Sequence, residues 1–233
     1  MITIRIAELN IGIRSRYPET EEYCREYMVG QKVPDFVVEP SEEEIRQEMR
    51  LTPVIRDPGE AEFICVYRQI GYRLLDYDAM IMHAVVMDLD GTGIAILAPS
   101  GTGKSTLALH ILDRYEGKAR IINGDKPIVR FSGNKLYAYG TPWNGKEEFG
   151  CNDRVELKKL CFLERGETDE VRRADEKETA ELLFRQLLIP GETEQVIRFM
   201  DLSERILDVT AWYRIRCTEH DSAATTTIKG VLN

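Results

Sequence analysis

The run Ala98-Pro99-Ser100-Gly101-Thr102-Gly103-Lys104-Ser105 places a lysine and a hydroxyl directly behind a glycine-rich turn. This is the Walker A spacing, with Ala98 in place of its first glycine. Such a loop gathers successive backbone amides into one concavity, the following helix adds its positive end, and the lysine meets the outer phosphates. Ser100, Gly101, Thr102, Gly103, Lys104, Ser105 and Thr106 are the expected phosphate contacts, and the Ser105 hydroxyl is the expected magnesium ligand. Gly101 and Gly103 permit backbone angles, or a phosphate approach, that a side chain would hinder. A glycine-rich turn without ligand is the plain alternative.

Phosphates held in this way leave two needs, a metal ligand and a proton acceptor. Asp125 lies 21 residues beyond Lys104, behind the apolar run ARII, and is expected to meet one of them. The same Asn123-Gly124-Asp125 would also make a simple turn, because these residue types bond their own backbone. His83 stands in an apolar run before an Asp90-Gly91 hairpin turn. It is read as a strand residue that contacts phosphate or orients Asp125, or else as a hydrogen-bonded core histidine. Residues 139–154 form a polar, turn-rich stretch between two expected strands. They are read as an active-site flap in which Trp143 offers a flat apolar contact and Lys146 or Arg154 neutralises the transferred charge, with an ordinary surface loop as the alternative.

Periodicity supplies the elements that must hold these groups. Ile2, Ile4 and Ile6 alternate with more polar residues, a strand or hairpin pattern. Helices are expected over 19–28 and 41–50, the second opened by a capping box of Ser41 and Glu44, with a strand DFVVEP between them. Pro53, Pro58 and Gly59 read as breaks before a helix over 63–75, and a boundary is placed near residue 77. Next come strand, hairpin, strand, phosphate loop and the helix TLALHIL. Strands ARIINGD, KPIVRF, KLYAYG and RVELKKLCFLERG follow, then helices over 176–188 and 192–207, a strand WYRIRC, and a closing helix from Asp221. The expected architecture is an α/β nucleotide-binding domain over 78–233, with a mixed β-sheet and flanking helices, preceded by a small α+β region over 1–77.

The chain has 233 residues, 43% of them hydrophobic and 30% charged, with 31 basic against 40 acidic side chains and a net charge of −9. This is globular composition, and the acidic balance argues against a nucleic-acid partner. No window approaches the roughly 18 apolar residues of a membrane span. The N-terminal MITIRIAELNIG lacks the pattern of a secretion signal, so a cytoplasmic location is expected. Five widely spaced cysteines without a CxxC pair are expected to be reduced structural thiols.

In the order His83-Ala84, the Asp90-Gly91 hairpin, APSGTGKST and Asp125, the sequence resembles the HPr kinase-like group of P-loop kinases. That group shares its nucleotide fold more remotely with phosphoenolpyruvate carboxykinases. The resemblance is strongest over residues 81–165. It implies an HPr kinase-like P-loop core, ATP as donor, Mg²⁺, and phosphorylation of a hydroxyl on a peptide or protein serine or a small molecule. It matches Lys104 to the phosphate lysine, Ser105 to the magnesium residue, Asp125 to the second of two paired aspartates and His83 to the active-site histidine. Gly124 stands where the first aspartate would be. The segment after KLYAY lacks the signature of the bifunctional HPr kinase/phosphorylases and looks like that of kinase-like paralogues, some of which modify serine in peptide natural-product precursors. A homo-oligomer is left open. The competing function is a nucleotide-binding regulatory module with slow hydrolysis and no acceptor, which the missing aspartate favours. Carboxykinase chemistry is set aside because the chain is short and has no manganese-binding histidine cluster.

Overall fold

The computed structural model describes residues 1–52 and 54–232. Pro53, read above as a break, lies outside them. The alternating isoleucines form strand β1 (Ile2–Ile6), which pairs antiparallel with β2 (Leu9–Ile13). Helix α1 (Pro18–Tyr23) ends before the expected helix over 19–28 does, and a 3₁₀ turn, Arg25–Tyr27, follows. The chain leaves helical geometry because Met28 bridges back to Ile4. β3 (Phe36–Val38) then joins β2 in parallel. Helix α2 (Glu42–Leu51) opens with the expected capping box of Ser41 and Glu44.

Helix α3 (Pro58–Leu74) starts ahead of the expected 63–75. Asp57 caps it by accepting from the amides of Gly59 and Glu60, at 2.8 and 3.1 Å. Pro58 is the first helical residue, where its missing N–H costs nothing. The fully buried Glu62 of α3 accepts from Arg16 N at 2.7 Å, Tyr17 N at 3.2 Å and Thr20 Oγ1 at 2.7 Å. One carboxylate thus fastens the start of α1 onto α3.

The remaining strands are β4 (Ala79–Ile81), β5 (Ala84–Leu89), β6 (Thr92–Leu97), β7 (Ala119–Asn123), β8 (Ile128–Ser132), β9 (Lys135–Tyr139), β10 (Arg154–Arg165), β11 (Glu170–Arg173) and β12 (Ala211–Cys217). They make a nine-stranded sheet in the order β4-β8-β9-β10-β6-β5-β7, with β12 beside β10 and β11 beside β12. β10 joins its two parts. Its first residues pair antiparallel with β9, and from Leu157 onward it runs parallel to β6 and then β12.

Both faces of this sheet are covered, which is why its strands are nearly continuous apolar runs. On one face Val85, Met87 and Ile96 pack against Leu107 and Ile111 of α4 (Lys104–Arg114) and Ala224 of α7 (Ser222–Leu232). On the other, Val86, Ala95 and Leu97 meet Leu183 of α5 (Glu176–Phe184) and Phe199, Leu202 and Ile206 of α6 (Thr193–Val209). The core of the N-terminal sheet takes in Ile81, Ile128, Tyr139 and Trp143. The architecture is thus the expected α/β one, a mixed sheet with flanking helices and a small α+β region ahead of it. The five cysteines are free thiols, four of them buried. No helix among the described residues is long and apolar enough to cross a membrane.

Candidate active site

The turn over 98–103 joins β6 to α4. Gly101 and Gly103 have φ of 78° and 114°, left-handed values that favour glycine. A Cβ at either position would meet nothing within 4 Å, so the glycines supply backbone angle rather than room. Arg165, at the end of β10, donates to the carbonyls of Gly101 at 2.9 Å and Thr102 at 3.2 Å. Loop carbonyls are thereby occupied from outside, and the amides are the groups a phosphate needs. Ser100 and Thr106 are exposed, while Thr102 and Ser105 are half-buried.

Lys104 is 8% exposed. Its Nζ donates to the carbonyl of Ala98 at 2.8 Å and lies 3.2 Å from His83 Nε2. Burial pushes the Lys104 ammonium below its ordinary pKa, against the pull of Asp125. His83 Nε2 is 3.2 Å from Asp125 Oδ1, and Lys126 Nζ is 3.3 Å from the same oxygen. Burial opposes the Asp125 charge, but the His83 bond and the Lys126 ammonium outweigh it and hold the carboxyl below its ordinary pKa. Lys104, His83, Asp125 and Lys126 therefore form one contiguous series.

His83 is not a strand residue. It occupies the unpaired junction between β4 and β5, because three neighbouring amides are drawn to different partners. Met82 N donates to Pro127 O at 3.1 Å, His83 N to Gln186 O at 2.7 Å, and Ala84 N to Asp125 O at 3.0 Å. Asn123-Gly124-Asp125 is indeed a turn: buried Asn123 accepts at Oδ1 from the amides of Asp125 and Lys126, at 2.9 and 2.8 Å. That turn is what brings Asp125 beside His83.

The stretch 139–154 packs closely against the turn. Gly124 N donates to Phe149 O at 2.8 Å, and a Cβ on Gly124 would stand 2.6 Å from Asn144 O. The room in which a second aspartate would begin is filled by this loop. Trp143 is buried, stacked on Phe63 with centroids 5.0 Å apart, and its Nε1 donates to Phe63 O at 3.1 Å. Lys146 is exposed. Arg154 is committed elsewhere, ion-paired to Glu8 and placed 3.2 Å from Tyr139 Oη, with its guanidinium 4.5 Å from the centre of the Tyr137 ring. The structure thus gathers His83, Lys104 and Asp125, adds Lys126 and Arg165, and does not bring Arg154 to them.

Two cavities flank the series. One of about 660 Å³ borders the loop at Thr102, Gly103 and Thr106 and extends past Leu107 and His110 toward Cys217. The other, about 400 Å³, has Asp125 and Lys126 in its lining.

No family model matches the chain. A solved HPr(Ser) kinase/phosphatase from Coxiella burnetii aligns with 66% of this chain and 97% of its own, at 18% identity and a TM-score of 0.37. HPr kinase/phosphorylases of Ralstonia pickettii and Ralstonia nicotianae are each 29% identical to it over 85 residues. The matched stretch is 26% of each relative's length. The chain is therefore similar in sequence to HPr kinase/phosphorylases over 36% of its own length.

Proposed function

We propose that this chain is an ATP-dependent kinase that transfers a phosphoryl group to a hydroxyl of a peptide or protein serine or of a small molecule. The observation that carries the reading is the direct succession from the loop lysine through His83 to the carboxylate of Asp125. The names of the Ralstonia relatives point the same way. The phosphates would lie along 98–105, with Lys104 turning from the Ala98 carbonyl to meet them and the nucleoside entering the 660 Å³ cavity. Ser105 and Asp125 offer a hydroxyl and a carboxylate, the hard oxygen donors that Mg²⁺ takes. Among the described residues no group of three or more His, Cys, Asp or Glu side chains could hold a metal, so these two would hold Mg²⁺ together with phosphate oxygens. Bound there, the ion would supply charge neutralisation along the phosphates.

In the transfer, the acceptor oxygen bonds to the γ-phosphorus as the bond to the bridging β,γ-oxygen breaks and ADP departs. The hydroxyl proton passes to the Asp125 carboxylate. Lys126 pairs with that carboxylate directly and Lys104 reaches it through His83, so two cations would stand near the charge that shifts during transfer.

Lys104→Ala tests the reading. Mg-ATP affinity by calorimetry should fall, and transfer should drop by roughly 10²- to 10³-fold, the scale of a removed preorganised charge. Unchanged binding and turnover in a folded variant would refute it. The Gly124 geometry favours one second reading, a nucleotide-binding regulatory module without acceptor. ATP consumption that no hydroxyl compound accelerates would support that reading.

A further inference from the structure

The 400 Å³ cavity shares no lining residue with the 660 Å³ cavity. Its walls come from four separate segments: Tyr23 from α1, Phe63 and Tyr67 from α3, Asp125 and Lys126 from the turn after β7, and Trp143 from the stretch 139–154. The rings are mutually fixed. Tyr23 and Phe63 have centroids 4.8 Å apart, Phe63 stacks on Trp143, and Tyr67 lies 5.7 Å from Trp143. Glu60 and Glu148 also line the space, so with Asp125 three carboxylates face one ammonium, Lys126, which is itself paired to Asp125.

We propose that this cavity is the acceptor subsite and that it takes a hydroxyl compound bearing a positively charged ammonium group, an amino alcohol in chemical class. The proposal rests on the kinase reading for the role of Asp125. Aromatic rings attract organic cations, and these four, packed on one another, give the cavity an aromatic wall with carboxylates beside it, against which an ammonium group can rest. The excess negative charge disfavours an acceptor with its own carboxylate or phosphate. Asp125, in the same lining, receives the hydroxyl. Further carboxylates surround Tyr23: beyond the effect of burial, Glu60, Asp57, Glu19 and Glu22 raise its phenol pKa.

The test uses the full chain and three probes of similar size: choline, its uncharged isostere 3,3-dimethylbutan-1-ol, and 4-hydroxybutanoate. In nucleotide-free protein, choline should bind about tenfold or more tightly than the isostere, the effect of a single well-placed cation–π contact set. The preference should shrink in Glu60→Gln/Glu148→Gln, whose Mg-ATP affinity stays that of the parent. With labelled Mg-ATP, kcat/KM for transfer should be higher for choline than for the isostere. Equal or tighter binding of the isostere or the anion overturns the proposal, as does transfer to neither alcohol when both are bound. A retained choline preference in a protein that fails to bind Mg-ATP supports the cationic cavity and defeats only the kinase reading. Mg-ATP binding without the preference does the reverse.

Discussion

Gly124→Ala adds one methyl group at the joint between the Asp125 turn and the stretch 139–154. The new Cβ would stand 2.6 Å from Asn144 O, 3.1 Å from Phe149 O and 3.2 Å from Phe149 Cβ. Ordinary contact begins at 3.4 Å, so the Asn144 carbonyl must retreat by 3.4 − 2.6, about 0.8 Å. That retreat is resisted on several sides. Phe149 O accepts from Gly124 N at 2.8 Å, Trp143 O from Lys126 N at 3.0 Å and Ile122 O from Cys151 N at 3.2 Å, while the indole is tied to Phe63. Overpacking of this kind costs about 1–3 kcal/mol, and weakening the Gly124–Phe149 bond adds about 1 kcal/mol. The sum is about 2–4 kcal/mol. At about 2–4 °C per kcal/mol for a domain of this size, Tm should fall by roughly 9 °C in mid-range. Guanidinium unfolding and calorimetry measure both quantities. Gly30→Ala is the control, since its Cβ meets nothing within 4 Å, and it should stay within about 0.5 kcal/mol of the parent. If Gly124→Ala is as stable as that control, the joint yields freely and the reasoning fails.

Asp125→Asn should keep most Mg-ATP affinity and lower transfer by roughly 10²- to 10⁴-fold, the range of general-base assistance. Affinity that collapses only when magnesium is present would show that the Mg²⁺ ligation proposed for Asp125 outweighs its role as proton acceptor. Because the folded chain holds the Asp125 carboxyl below its ordinary value, the folded state binds this proton less readily than the unfolded one. The stabilisation is complete above the unfolded value of about 4 and is lost as pH falls through the lowered folded value. The unfolding free energy of the parent relative to Asp125→Asn should accordingly shrink on acidification, and a difference that grows in acid would contradict the geometry. Glu62→Ala strips acceptors from three donors around the α1–α3 joint and should cost about 3 kcal/mol. Denaturant titration measures this, and a loss below about 1 kcal/mol would show that α1 is held by other contacts.

The glycine loop was legible because its shape is written in local backbone needs. Gly101 and Gly103 supply left-handed angles, and Lys104 follows at once on the helix. Asp125 was legible for the same local reason, as Asn123 folds the turn within a few residues. Long-range placement was not. His83 leaves the strand pattern because Gln186, more than a hundred residues away, takes its amide, and the early end of α5 belongs to the same pairing, since Leu187 bridges Met82. Lys126 and Arg165 have no motif of their own, and only the sheet brings Arg165 back to the loop. Pro58-Gly59 reads as a break in composition, although Asp57-Pro58 is itself a helix-start signal. Arg154 shows the limit of composition: a basic residue in a polar loop has no direction until Glu8 and Tyr139 supply one.

The Nε2 nitrogen of His83 is within 3.2 Å of both Lys104 Nζ and Asp125 Oδ1. A ring nitrogen carries either a lone pair or a hydrogen, so it serves only one of these neighbours at a time. When it accepts from the ammonium, its hydrogen is absent and the carboxylate keeps only Lys126. When it donates to the carboxylate, the ammonium falls back on the carbonyls of Ala98 and Pro99. The imidazole is thus wired as a changeover switch with one moving contact. A ligand that drew the lysine away would free Nε2 to take a proton, by exchange from Nδ1 through solvent or by uptake, and to donate it to Asp125, so occupancy of the loop would be felt at the carboxylate without any movement of the chain between them.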